Sequence, residues 1–195
     1  MPKPKLIVIS APSGCGKTTI AREILRRHPG MLFSVSATTR PMRAHEEHGK
    51  DYFFLTAEDF RRRIAAGELA EWEEIYGNYY GTLKTEIDAA LGGGRSMMFD
   101  IDVNGALSIK RLYPDDAVLI FIKPPSVEVL TERLRLRNTE TPETIRKRLE
   151  RVPMELGKAP EFDFAVINDD LATAVNAVDD IVIKAMNAAA STRVS

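Results

Sequence analysis

The feature that most constrains this chain is its first twenty residues. Residues 5–10 (Lys-Leu-Ile-Val-Ile-Ser) form a short apolar, β-branched run with no polar alternation. That is the pattern of a strand buried on both faces. It runs straight into Ala11-Pro12-Ser13-Gly14-Cys15-Gly16-Lys17-Thr18-Thr19, after which Ile20, Ile24 and Leu25 recur at helical spacing until Pro29-Gly30. A buried strand, a Gly-rich turn and a helix opening on Gly-Lys-Thr make a P-loop. The glycines let backbone N–H groups turn inward on a phosphate, and the helix N-terminus adds its dipole. Lys17 is placed to reach the β- and γ-phosphates of ATP, and Thr18 to ligate Mg²⁺. Ala11 stands where the strict G-x-x-x-x-G-K-[ST] pattern has glycine; its side chain is small enough for the turn if φ is negative. A Gly-rich turn that only links strand to helix would not need Gly-Lys-Thr at the helix start.

The rest of the chain alternates strands with helices. Strands are expected at residues 31–36, 52–55, 69–76, 96–101, 118–122 and 164–167, and a turn at 77–81. Helices are expected after Thr56, with Asp59 three residues on as in a capping box, at 84–91, from Ser126, after Thr141-Pro142 and from Asp170. Residues 133–141 read as a polar, arginine-rich break, and 191–195 as a frayed tail. The pattern predicts an α/β three-layer P-loop fold, a parallel sheet with helices on both faces. Residues 1–195 form one domain: a core of 1–38 and 85–195, a lid at about 133–148 within it, and an inserted lobe at 39–84 where the alternation breaks.

Composition enters as a filter. The net charge of −1 provides no basic surface for nucleic acid, so any positive charge at an anion site is local. A single cysteine, Cys15, excludes an internal disulfide and suits a reducing compartment. As a redox switch Cys15 is the weaker reading beside that of a small residue turned away from the phosphate. No apolar run approaches the ~20 residues of a membrane span. The run 6–9 is too short for a signal h-region, so a cytoplasmic location is expected. The three histidines (His28, His45, His48) have no metal-site spacing.

A P-loop names the donor, not the acceptor. The polar loop after residue 38 carries Arg40 and Arg43, then Lys50, Asp51 and Tyr52. Two guanidinium forks beside a tyrosine suit a phosphomonoester; the same residues alone equally describe a solvated charged loop.

Several further strings, in order, narrow this. Residues 33–40 (FSVSATTR), Pro41-Met42-Arg43, Gly49-Lys50-Asp51-Tyr52-Phe53, Glu71-Trp72, Gly77-Asn78-Tyr79-Tyr80-Gly81 and Asp100-Ile101-Asp102 resemble the guanylate kinase family. So do Pro124-Pro125-Ser126, Asn138-Thr139-Glu140-Thr141 and Asn168-Asp169-Asp170. The likeness runs from about Leu6 to Asp170. It implies transfer of the γ-phosphoryl group of ATP to GMP, and to dGMP, with Mg²⁺. It implies that Ser36, Glu71 and Thr82 hold the guanine, with Gly81 beside them, and that Arg40, Arg43, Tyr52 and Tyr80 grip the GMP phosphate. Glu46 is implied in the same site; His45 precedes it where the family usually has glycine. Asp100 and Asp102 are implied near the base and the metal, Asp100 through water. Arg133, Arg137 and Arg148 match arginines of the lid and the helix after it, and Asn168 a position near the adenine.

The chemistry of guanine agrees. Its N1–H and exocyclic N2 amine are adjacent donors, and one carboxylate accepts both. Adenine has an acceptor at N1 and no 2-amine, and would leave the carboxylate poorly paired. Without the likeness, Glu71 reads as a solvated strand residue. Phosphoryl transfer is mostly positioning and electrostatics. Lys17, Arg40, Arg137 and Arg148 are therefore the expected catalytic cations, and no general base is needed because the acceptor oxygen is already ionised. Lid arginines would close over the transferring group, and closure would exclude water. Two other readings compete: a small-molecule kinase with another acceptor, and a non-catalytic phosphopeptide-binding module on the same fold. Glu71, Ser36 and Thr82 argue against the first, the intact P-loop against the second. Monomer and homo-oligomer both stay open.

Overall fold

The computed structural model describes residues 3–75, 77–136 and 142–188. The first strand, β1 (Leu6–Ser10), feeds the P-loop and α1 (Lys17–Arg27). Then come β2 (Leu32–Phe33), β3 (Ala37–Thr38), β4 (Phe53–Phe54), α2 (Ala57–Ala65), β5 (Leu69–Ile75), β6 (Asn78–Leu83) and α3 (Lys84–Gly92). The chain continues through β7 (Met97–Asp100), α4 (Val103–Leu112), β8 (Ala117–Lys123), α5 (Val127–Leu136), α6 (Pro142–Gly157), β9 (Phe164–Ile167) and α7 (Leu171–Ala188).

Five strands make a parallel sheet in the order β2-β7-β1-β8-β9. The central strand β1 is buried on both faces, as its unbroken apolar run requires: Leu6, Ile7, Val8 and Ile9 are each 0% exposed. Each such side chain contributes roughly 1.5–3 kcal/mol by leaving water. Alternation splits them between two cores. Ile7 and Ile9 pack with Ile20 and Ile24 of α1, Leu130 and Leu134 of α5, and Val175, Val178 and Val182 of α7. Leu6 and Val8 face Ile87 of α3 and Val103, Ala106 and Ile109 of α4. The result is the expected three-layer α/β architecture. No described helix is long and apolar enough to cross a membrane.

A second sheet of four strands, β4-β3-β6-β5, comes from residues 37–83 and has its own small core around Phe60, Ala37, Leu69 and Leu83. The Phe60 ring stacks on Tyr79 at 5.3 Å. The helix α2 starts as Thr56 predicts, the Asp59 amide donating to Thr56 Oγ1 at 3.0 Å.

Four local expectations are corrected. The strand expected at 31–36 is only β2, at Leu32–Phe33; residues 34–36 carry the chain across to the second sheet, where β3 begins beyond the expected run, at Ala37. The turn at 77–81 is mostly strand: β6 pairs antiparallel with β5 from Ile75–Asn78 back to Leu69–Leu83. Residues 133–136 are not a break but the end of α5, with Leu134 buried in the core and Leu136 exposed. Finally, α4 has no counterpart among the expected elements, although Asp102 caps it and Val103, Ala106, Leu107 and Ile109 mark its buried face. The expected structural change near Asn138, the cap at Thr141, Tyr76 and the tail at 191–195 lie outside the described residues.

Candidate active site

Ligands of parallel sheets bind at the carboxyl ends of the strands, and the polar residues gather there. Gly14 and Gly16 have φ of 96° and 81°, a left-handed backbone that turns the loop between β1 and α1. The space at both is taken. A Cβ on Gly14 would lie 2.8 Å from Leu134 Cδ2, and one on Gly16 2.6 Å from Asn168 Nδ2. No side chain caps α1, so its first-turn N–H groups face the loop cavity, the arrangement that takes a phosphate. Asn168 is buried and donates its amide to the Cys15 carbonyl at 2.7 Å. It braces the loop from beneath. Cys15 itself is 1% exposed and packs in the core.

Lys17 and Thr18 reach across to the end of β7. Lys17 Nζ lies 2.9 Å from Asp100 Oδ1 and donates to the Ile101 carbonyl at 2.7 Å. Thr18 Oγ1 donates to Asp100 Oδ2 at 2.7 Å. One carboxylate thus gathers both P-loop side chains. On the opposite wall, Arg148 of α6 donates to Ser13 Oγ at 2.6 Å. The cleft between them has a volume of about 420 Å³ and is lined by residues 11–19, Asp100, Asp102, Glu73 and Arg151. A second recess of about 370 Å³ opens beside it, between Gly14, Gly16, Thr19, Arg133 and Asn168. There Arg133 donates to the Asn168 and Asp169 carbonyls at 2.8 and 3.1 Å. Its guanidinium is tied to the loop before α7 rather than held over the P-loop. Arg137 lies outside the described residues.

The second sheet carries two polar clusters. In the first, Arg40 donates to both oxygens of Glu46, at 3.0 and 2.7 Å, and the Arg43 amide adds a bond to the same carboxylate at 2.8 Å. The Arg40 bonds, with the Arg43 amide, hold the Glu46 carboxyl down at about 2. The Arg40 guanidinium sits 5.3 Å from the Tyr52 ring centre, and Tyr80 meets Tyr52 edge-on. Arg43 and His45 are exposed. His45 sits in the turn before Glu46 and does not prevent Glu46 from folding back on Arg40.

In the second cluster, Glu71 on β5 is 8% exposed. Thr82 on β6, 0% exposed, donates its hydroxyl to Glu71 Oε1 at 2.6 Å. Glu71 Oε2 points at Gly105 of α4, where a Cβ would lie 2.9 Å away. No cation pairs with Glu71 among the described residues, and burial pushes its carboxyl up to about 7. Gly81 stands across from Trp72, and a Cβ there would come within 2.6 Å of the Glu71 carbonyl. It is glycine because β5 and β6 touch at that point. Ser36 is half-buried, its carbonyl accepting the Phe53 amide at 2.9 Å. Asp102 caps α4, accepting from Asn104 and Gly105 at 3.2 and 3.0 Å.

Sequence reasoning omitted Gly105, Glu73, Arg151 and Glu155. Gly105 follows the Asp100-Ile101-Asp102 string at the start of an unread helix, so nothing marked it. Arg151 sits among surface-type charges on α6, and only its contact with Glu73 across the cleft distinguishes it.

The donors therefore form a phosphate cradle, a tethered arginine cluster and a buried uncompensated carboxylate. A guanylate kinase family model matches residues 3–185. The chain is 51% identical over 174 residues to the guanylate kinase of Chlorobaculum tepidum, covering 89% of each. It is 51% identical over 183 residues to that of Gloeobacter violaceus, covering 94% of this chain and 89% of the relative. The solved guanylate kinase from Anaplasma phagocytophilum superposes with a TM-score of 0.74 at 29% identity, over 95% of this chain and 88% of that one. With its length matched nearly end to end, the chain belongs to the guanylate kinase family.

Proposed function

We propose that the chain transfers the γ-phosphoryl group of ATP to GMP, and to dGMP, giving ADP and GDP or dGDP. One observation carries the acceptor: Glu71 is a buried carboxylate with Thr82 on one oxygen and no cation among the described residues. An ionised carboxylate in that setting is costly unless a ligand supplies donors. Guanine supplies two, at N1 and N2. The other monophosphates present no such adjacent pair. We assign residues 39–84 as the lobe that holds GMP and residues 1–38 and 85–195 as the core that holds ATP, with the lid at about 133–148.

The roles follow from the positions. The loop of residues 11–19 cradles the ATP phosphates, with Lys17 on the β- and γ-phosphates. The recess by Arg133 and Asn168 takes the adenine side. Arg40, with Arg43, Tyr52 and Tyr80, takes the GMP phosphate, and Glu46 holds Arg40 in place. Ser36 and Gly81 border the base pocket, and Asp102 fixes the start of α4 beneath it. Arg148, and Arg137 by family likeness, stabilise the charge on the transferring group.

Thr18 and Asp100 are hard oxygen donors 2.7 Å apart at the mouth of the cradle, a donor set that fits Mg²⁺, with Asp100 acting through water. Bound there, Mg²⁺ would neutralise charge on the β- and γ-oxygens. The cytoplasm is the compartment that suits a nucleotide enzyme with a buried thiol under its phosphate loop. A phosphopeptide-binding module is disfavoured because Gly14, Gly16, Lys17 and Thr18 are all in place.

The test is a coupled assay with ATP, Mg²⁺ and each nucleoside monophosphate in turn, with Lys17→Ala as control. ADP release that requires GMP or dGMP and collapses in the control is the expected result. GMP binding with no turnover would overturn the proposal.

A further inference from the structure

The helix α6 touches both halves of the cleft. Arg148 bonds Ser13 in the phosphate loop at 2.6 Å. Arg151, one turn later on the same face, donates to Glu73 Oε1 of β5 at 3.0 Å. Glu155, one turn later again, lies 3.6 Å from Arg151 Nε. Its residue is 8% exposed, and its Oε2 has no partner among the described residues. Arg151 is thus held between an acid on its own helix and an acid on the other sheet.

The place of Glu73 on β5 gives this bridge its reach. Glu71 and Glu73 are alternate residues of one strand and so lie on one face of it, about 6.6–6.8 Å apart along the chain. A paired β-strand is stiff over that distance: β5 and β6 pair along most of their length, Glu71 opposite Thr82 and Glu73 opposite Tyr80. Wherever Arg151 holds Glu73, it therefore holds Glu71. The same helix face, through Arg148, holds the phosphate loop.

We propose that Arg151 and Glu73 are a positioning pair that sets the distance between the phosphate donor and the base-reading carboxylate. This rests on the reading of Glu71 given under Proposed function. The pair lies in the cleft but is not needed to grip either substrate. Its loss loosens their mutual alignment, which appears in the rate of the chemical step rather than in either affinity. The two side chains are 41% and 29% exposed, so the effect is modest, since exposed pairs are weak.

The test is a double-mutant cycle with Glu73→Gln, Arg151→Gln and the double variant, with Arg151→Lys as a milder change. Single-turnover rates with ATP and GMP are read beside the dissociation constant of each nucleotide alone. Each single variant is expected to slow transfer about 3- to 6-fold. Both dissociation constants should stay within twofold, and the double variant should lose no more than the worse single. Arg151→Lys, which keeps the charge, should recover part of the loss. The same cycle on urea midpoints of the nucleotide-free chain is expected to give a non-zero coupling. Unchanged transfer rates, additive losses, or a loss confined to GMP affinity would each overturn the pairing. Absence of GMP turnover in the unaltered chain would instead overturn the proposed function, while the urea cycle would still report whether the pair forms.

Discussion

Thr82 Oγ1 donates to Glu71 Oε1 at 2.6 Å, and the Glu71 carboxylate faces no cation among the described residues. The bond leaves Glu71 Oε2 turned to the start of α4, where Gly105 leaves room for it. The proposed acceptor specificity rests on that relationship.

It predicts a pH dependence. Burial raises the Glu71 carboxyl to about 7 in the nucleotide-free chain. Guanine needs the ionised form, so GMP binding takes up none of the proton and releases it. Affinity for GMP should be constant well above pH 7 and fall about tenfold per pH unit well below it. Calorimetric titration from pH 5.5 to 8.5, in buffers of different ionisation enthalpy, measures both the fall and the proton release. Affinity for ATP should not follow the same curve.

The same shift has an opposite sign for stability. The folded chain holds the Glu71 proton more tightly than the unfolded chain does. The contribution is therefore full below the unfolded value of about 4.5 and is lost as pH rises through about 7. Glu71→Gln removes that loss, and should stabilise the nucleotide-free enzyme at pH 8 by an amount of order 1–3 kcal/mol. Denaturant melts of the two proteins at pH 5 and pH 8 check this; a stability gap that did not widen at pH 8 would count against the buried carboxylate.

Gly105→Ala should damage GMP use without damaging the fold. The new Cβ would lie 2.9 Å from Glu71 Oε2 and 2.8 Å from Asp102 Oδ1, closer than a methyl group tolerates. Both carboxylates must shift. The KM for GMP is expected to rise about tenfold or more, with the KM for ATP unchanged. Melting temperature should change little, since alanine is the better helix former by up to about 1 kcal/mol, which offsets a weakened Asp102 cap of about the same size.

Glu46→Gln tests whether the arginine cluster is organised by its acid. Arg40 is held by two bonds to Glu46, at 3.0 and 2.7 Å. An amide keeps one acceptor and turns a donor toward the guanidinium. The KM for GMP should rise about 5- to 20-fold, and inorganic phosphate should compete more weakly for the site. Equal kinetics in the two proteins would show that Arg40 does not depend on Glu46.

Asp100→Asn removes the charge that gathers Lys17 and Thr18. The turnover number should fall about 10²- to 10³-fold. The Mg²⁺ concentration for half-maximal rate should rise, while GMP binding is preserved. Measuring the Mg²⁺ dependence at fixed ATP separates this from a general loss of structure.

The phosphate cradle was legible because its signal is local: a buried strand, glycines at the two positive-φ positions and a lysine at a helix start are adjacent in sequence. Glu71 was legible only through family likeness, since a lone glutamate beside Trp72 has the look of a solvated residue, and its burial is made by α4, Thr82 and β6 arriving from elsewhere. The end of β2 and the start of β3 are hidden for the same reason. Residues 31–36 form one apolar-rich run, and only pairing ends β2 at Phe33, beside Met98, and opens β3 beyond the run at Ala37, beside Gly81. The helix α4 is absent from the expected elements although Asp102 can cap it, because the family likeness assigns Asp102 to the nucleotide site and not also to a helix start. Arg151 could not be found in sequence, because its partner is 78 positions away.

The proposed enzyme joins the phosphate loop to a carboxylate that reads guanine. The most direct measurement is kcat/KM for GMP and for AMP, with ATP and Mg²⁺ saturating, in the unaltered chain and in Glu71→Gln. A preference for GMP of about 10³-fold or more is expected, as sites built to pair a buried polar group give, and the substitution should remove most of it by lowering the GMP value alone. A chain that uses AMP as well as GMP, or a Glu71→Gln protein that keeps the preference, would contradict it.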